Sequence, residues 1–244
     1  MIKNFTVTLD YYNIVVDKSI TNIGAATILQ GCYLGGNTQF CNLVTRGPDG
    51  RIGNIDDTNQ NVGKDETDGI DIAVRYAYPT EFGRFGFVAD VTWLHKFDRT
   101  LGDGTVIRGR GTFDLGSGSV GGVYPAFKFN AGLSWQLAGL AAGVNTKFVG
   151  SFHECSDANG DFSGGGLCYQ GPPFRRLVPA YNTYDVFVSY TLRSPVGRST
   201  LAAGLNNVFD RKPAVIYNGF LAATDPTAYD VVGRFGYVRL SQMF

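Results

Sequence analysis

The chain has 244 residues, a formal net charge of zero, 14% aromatic and 17% charged residues, and 33 glycines. Both signs of charge are interspersed, so there is no electrostatic basis for nucleic-acid binding, and the aromatic content excludes a disordered chain. No run suits a membrane-spanning helix: the most apolar stretch, 132–144, holds Ser134 and Gln136 and reads as two strands meeting at Ala138-Gly139.

In chain order, Met1-Ile2-Lys3-Asn4 leads straight into a strand-like run with no signal peptide, so an outer-membrane reading implies a fragment. Phe5, Val7, Leu9 and Tyr11 share one face of that run; Thr6, Thr8, Asp10 and Tyr12 share the other. Phe85, Phe87, Ala89, Val91 and Trp93 alternate with Gly86, Val88, Asp90, Thr92 and Leu94. Phe127, Phe129, Ala131, Leu133, Trp135 and Leu137 alternate with Lys128, Asn130, Gly132, Ser134 and Gln136. Tyr184, Val186, Val188 and Tyr190 repeat the pattern against Asp185, Phe187 and Ser189. No segment sustains helical spacing, so the fold class is all-β.

Eight strands are expected, near 4–17, 51–78, 83–99, 123–137, 140–152, 178–193, 199–210 and 230–244. The second is too long to run uninterrupted, so a bulge or break near 61–69, or an extension beyond a bilayer, is expected. Runs of about 10 to 14 residues suit a tilted membrane strand better than a sandwich strand. Aromatics such as Tyr76, Tyr78, Phe82, Tyr124 and Tyr181 bracket the runs like interfacial girdles. Connections alternate between short (78–83, 138–139, 193–198) and long (18–50, 100–122, 153–177, 211–229), as periplasmic turns alternate with extracellular loops. The architecture expected is an antiparallel transmembrane β-barrel segment.

The chain ends in GLNNVFDRKP, a loop, and YDVVGRFGYVRLSQMF. Gly204, Asn207, Phe209 and Asp210, then Gly233, Arg234 and the terminal Phe244, closely resemble the closing hairpin of outer-membrane TonB-dependent receptors. FTVTLDYYNIVVDKSI, ILQGCYLGGNTQFC, RIGNIDDTNQNVGKDETDGIDI and PAFKFNAGLSWQL likewise resemble successive barrel segments of that family. The resemblance implies a barrel of about twenty-two strands, of which residues 1–244 are the C-terminal part. It further implies a bacterial outer-membrane location, lipid and lipopolysaccharide as neighbours, and the barrel-assembly machinery acting through the C-terminal strand. The plug and the box that contacts TonB are not in this sequence, so coupling to TonB would run through a missing N-terminal region.

Cys32 and Cys41 fall in one long loop, Cys155 and Cys168 in another, and pairing within each loop fits an oxidising, cell-surface address. A metal site is the weaker alternative, since neither pair has zinc-ribbon spacing. Asp157-x-Asn159-x-Asp161-x-Ser163 copies half of a calcium loop, but Phe162 stands for the turn glycine and Cys168 for the bidentate glutamate, so a solvated loop is favoured. Asp65, Glu66 and Asp68 read as solvated strand ends. His95 and His153 stand apart, no catalytic ordering is recoverable, and neither cofactor nor metal is implied. Arg108, Arg110, Tyr169, Arg175 and Arg176 are the candidates for meeting an unknown, anionic small-molecule ligand such as a ferric siderophore; solvating the loops or contacting lipopolysaccharide is the plainer role.

Three function classes follow: a segment of a TonB-dependent receptor importing a scarce nutrient (ferric siderophore, cobalamin or oligosaccharide), a self-contained eight-stranded adhesive or structural barrel, and a soluble carbohydrate-binding β-sandwich. The closing motif and the loop asymmetry separate the first from the third; a plug domain encoded upstream would separate the first from the second.

Overall fold

The computed structural model describes residues 3–21, 23–100, 106–114, 122–154, 176–216 and 223–244. The first half contains β1 (Phe5–Thr21), helices α1 (Ala25–Tyr33) and α2 (Thr38–Cys41), β2 (Val44–Arg46), β3 (Ile52–Ile55), β4 (Gln60–Thr80), β5 (Gly83–Thr100), β6 (Val106–Arg108), β7 (Thr112–Asp114) and β8 (Gly122–Tyr124). Then come β9 (Phe127–Leu137), β10 (Leu140–Val149), β11 (Phe152–Glu154), β12 (Arg176–Val178), β13 (Tyr181–Ser194), β14 (Gly197–Asn206) and β15 (Phe235–Met243).

Eight long strands form one antiparallel path, β1-β4-β5-β9-β10-β13-β14-β15, with β6 attached to β5. Each long strand pairs with its neighbours in sequence order, the pattern of a meander. Among the described residues β1 and β15 do not pair with each other, so the sheet is open at both ends.

Register converts the alternation into two faces. One apolar row runs Phe5, Tyr76, Phe87, Leu133, Val144, Val186 and Leu205. A polar row on the opposite face runs Asp90, Asn130, Lys147 and Thr183. Among the described residues no layer covers the apolar face, and Leu133 is 57% exposed on it. No described helix is long and apolar enough to cross a membrane.

The expected strands are present with shifted ends. The 51–78 run divides into β3 and β4, and a bulge lies between Asp68 and Gly69 where β4 meets β5. β1, β4 and β5 have 17, 21 and 18 residues, longer than a span needs. The excess is braced by charge: Arg99 Nε lies 2.5 Å from Asp65, and Lys96 Nζ lies 3.2 Å from Glu66. Asp65, Glu66 and Asp68 are therefore not loose strand ends; they lie within β4 and pair across to β5. The 138–139 turn forms as expected, with positive φ at both Ala138 and Gly139, the twist that a two-residue hairpin demands.

ILQGCYLGGNTQFC is not a barrel strand. It forms α1 and α2, because Ile28 and Cys32, four residues apart, turn inward together and Asn37 caps α2 by accepting from the Gln39 amide. The Cys32–Cys41 disulfide then joins the two helices, a pairing with neighbouring secondary structure that alternation alone does not reveal.

Among the described residues the hydrophobic core lies where the ends of β10 and β13 meet the long connections. Phe113, Val149, Phe152, Val178, Tyr181, Ile216 and Tyr229 pack together there. Above them a second sheet of order β12-β11-β7-β8 draws its strands from the long connections. These connections therefore fold as a cap, while the short turns occupy the other end.

Candidate functional site

The closing residues come together where β14 ends. Asn207 has positive φ and is fully buried; its Nδ2 donates to the Arg211 carbonyl at 2.9 Å and its Oδ1 accepts from the Arg211 amide at 2.7 Å. The Asn207 amide donates to Asp185 Oδ1 at 2.7 Å, tying the turn to β13. Asp210 accepts from the Arg234 amide at 3.1 Å and from Lys212 Nζ at 3.2 Å, which joins the two ends of the last connection. Those hydrogen bonds, Lys212's first and the Arg234 amide's second, hold the Asp210 carboxyl below its ordinary range. Gly204 lies under the Tyr237 ring, where a Cβ would come within 2.5 Å of ring atoms. Phe209 stacks edge-on against Tyr184 at 5.7 Å, and Phe244 is exposed. These residues build a joint.

The cap is held by buried polar groups that the sequence reading passed over. Asp225, 6% exposed, accepts from the Val123 amide at 3.0 Å and from the Thr227 amide at 2.9 Å and hydroxyl at 2.7 Å. The Asp-Pro-Thr spacing signals such a turn, but not its partner 102 residues away. Glu154, 2% exposed, accepts from Arg176 Nε at 2.8 Å, and the Arg176 guanidinium also donates to the Val215 carbonyl. Tyr229 packs edge-on against Tyr181 at 4.9 Å. Burial foremost, then the nearby Asp225 and Tyr181, push its hydroxyl above the ordinary tyrosine range.

Of the five expected ligand-facing residues three are described, Arg108, Arg110 and Arg176, and each has its own local setting. Arg176 belongs to the cap's own framework through Glu154. Arg110 Nε donates to the Leu94 carbonyl at 2.8 Å, and Arg108 is exposed at the end of β6, opposite Asp98. Tyr169 and Arg175 lie outside the described residues, as do Cys155, Cys168 and the Asp157-to-Ser163 motif.

Between the cap and the polar face lies a cavity of about 340 Å³. Its wall holds the polar Asp90, Thr92, Lys128, Asn130 and Lys147 together with the apolar Phe129, Phe148 and Val149 from β5, β9 and β10; its roof includes Val123, Pro125, Thr227 and Ala228 from the cap. Asp90 is engaged by Arg75 at 2.7 Å, and Thr92 donates to Asp71 at 2.7 Å. The site can bind and orient a small polar molecule. Alternation placed Lys128, Asn130 and Asp90 on a common face, but the roof came from residues far away in sequence.

The family model described as "TonB dependent receptor-like, beta-barrel" matches residues 2–208. No curated protein matches the chain. Among solved structures, the chain is similar to the FrpB iron transporter from Neisseria meningitidis (F3-3 variant), with 14% identity and a TM-score of 0.56, covering 98% of this chain and 29% of that one. The F5-1 variant apoprotein gives 13% identity and a TM-score of 0.53, with the same coverage. The siderophore receptor PirA from Acinetobacter baumannii gives 14% identity and a TM-score of 0.56, covering 98% of this chain and 30% of that one. At these identities the likeness is one of fold, and the chain spans less than a third of each structure's length.

Proposed function

The chain belongs to the TonB-dependent receptor-like β-barrel family of the bacterial outer membrane, and from that premise we propose that residues 1–244 form the C-terminal barrel wall of a receptor importing a scarce nutrient. The observation that carries this is the open, two-faced sheet: β1 and β15 lie at opposite edges of one path. An eight-stranded barrel would be closed by pairing its first strand with its last, and a soluble sandwich would cover its apolar face with a second sheet. In a wide barrel both edges gain neighbouring strands, the apolar face meets lipid and the polar face meets a watery or plugged lumen.

Coupling to TonB runs through the receptor's N-terminal region, the C-terminal strand engages the barrel-assembly machinery, and lipopolysaccharide surrounds the outer rim. The chain acts by binding and passage; we assign it no catalytic role. Ferric complexes are favoured over cobalamin or oligosaccharides, because the structurally similar proteins are described as an iron transporter and a siderophore receptor. In the receptor loop, Cys155 pairs with Cys168 as Cys32 does with Cys41.

The test is uptake by cells that express the complete receptor, against cells in which the segment encoding 1–244 is deleted. Loss of labelled ferric-complex uptake, with cobalamin and oligosaccharide uptake unchanged, is the expected result. Identical uptake of all three classes in both strains would sink the receptor reading.

A further inference from the structure

The connection between β14 and β15 packs on the core as a strap, and its described parts, 211–216 and 223–230, are fastened at several polar points. The Tyr181 hydroxyl, from the start of β13, shares its proton between the Arg211 carbonyl at 3.2 Å and the Asp230 carbonyl at 3.4 Å. The Arg176 guanidinium donates to the Val215 carbonyl, and Asp225 accepts the Val123 amide. Between these points Ile216 and Tyr229 enter the core, 0% and 2% exposed. Tyr181 and Tyr229 are thus an edge-on pair, one ring on a barrel strand and the other on the strap. They differ at the hydroxyl. Tyr181 uses its hydroxyl as a fastening, whereas among the described residues no group reaches the Tyr229 hydroxyl.

A buried hydroxyl without a partner has lost its hydrogen bonds to water and gained none, which raises the free energy of the seated strap. Lifting the strap returns that hydroxyl to water. From this contrast we propose that the strap is a two-position element: the Tyr181 hydroxyl, Arg176 and Asp225 hold it down, and the buried Tyr229 hydroxyl biases it to lift. Burial of Ile216 and of both rings favours the seated position, and the unpaired hydroxyl reduces that preference, so that the strap opens locally while the barrel strands stay folded. Thr227 and Ala228, just before Tyr229, lie in the roof of the cavity of about 340 Å³, so the strap's position sets how wide that cavity opens. The strap works in this way whichever nutrient the receptor imports.

The test is amide hydrogen exchange of the complete receptor in detergent, read at 122–124 and 223–229, with β9 and β10 as the internal reference. Tyr229→Phe keeps the ring and removes only the unpaired hydroxyl, so exchange at both segments should slow about fivefold to tenfold. Tyr181→Phe is the same chemical change on the partner ring, but it takes a donor from the Arg211 and Asp230 carbonyls, and exchange should quicken about tenfold. Opposite signs from two identical substitutions support the two-position strap. Equal or faster exchange in Tyr229→Phe overturns it, and so does slowing by Tyr181→Phe to the same degree. Should Tyr181→Phe fail to fold, Asp225→Ala/Tyr229→Phe gives a second reading: it should recover part of the protection lost in Asp225→Ala, and no recovery overturns the strap. None of these readouts uses a ligand, so their failure leaves the receptor reading standing.

Discussion

Asp225 and Val123 are 102 residues apart in sequence, and the carboxylate of one accepts the backbone amide of the other at 3.0 Å. The bond fastens the connection after β14 to the short strand β8, and so converts separate loops into one cap over the cavity.

Asp225→Ala removes this bond and two more within the Asp-Pro-Thr turn, leaving the Val123 amide in a poorly solvated place. A loss of about 2–3 kcal/mol in cap stability is expected. Hydrogen exchange of 122–124 and 223–229 should accelerate while that of β9 and β10 stays unchanged. Equal exchange in variant and parent would show that the cap does not depend on this carboxylate.

Leu133 and Asn130 occupy opposite faces of β9. With the apolar face toward lipid, Leu133→Arg should destabilise the barrel by about 2–4 kcal/mol if it lies near the bilayer midplane, and Asn130→Arg much less. Reversible unfolding of the complete receptor in lipid bilayers measures both. Equal tolerance at the two positions contradicts the lipid-facing assignment.

Gly204 leaves room for the Tyr237 ring across the β14–β15 pair. Gly204→Val should cost about 1–3 kcal/mol through overpacking, and lower the temperature at which the folded barrel loses its fast electrophoretic mobility. Adding Tyr237→Ala should recover part of the loss. Failure of the second substitution to help would assign the defect to strand propensity instead of ring contact.

The acid response of the last connection follows from Asp210. Its carboxyl is held below the ordinary range, so its stabilising contribution is fully present above the unfolded value and is lost as pH falls through the depressed folded value. Protection of the Arg234 amide should therefore persist at neutral pH and fade in acid, below the usual aspartate range. Asp210→Asn should make that protection insensitive to pH over the same window. Fading with the same profile in the Asn variant would exclude Asp210 as the titrating group.

Alternation in the sequence determined the faces, and its interruptions determined the hairpins. Phe129, Leu133 and Trp135 could share a face with Val186 only in strands, because side chains along a strand point alternately to its two sides. The closing residues were legible as a motif through their resemblance to a family's closing hairpin; Asn207 serves the Arg211 backbone four residues on, whereas Asp210 reaches the Arg234 amide 24 residues away. The helices α1 and α2 were not legible, since one inward pair, Ile28 and Cys32, is too short a signal to stand against the surrounding strand pattern. The cap and the cavity belong to tertiary structure alone. Asp225 meets Val123 across 102 residues and Glu154 meets Arg176 across 22, whereas Lys147 comes beside Asn130 already within the β9–β10 hairpin. Local propensity acts over a few residues, whereas burial and hydrogen bonding select partners by distance in space, whatever their separation along the chain.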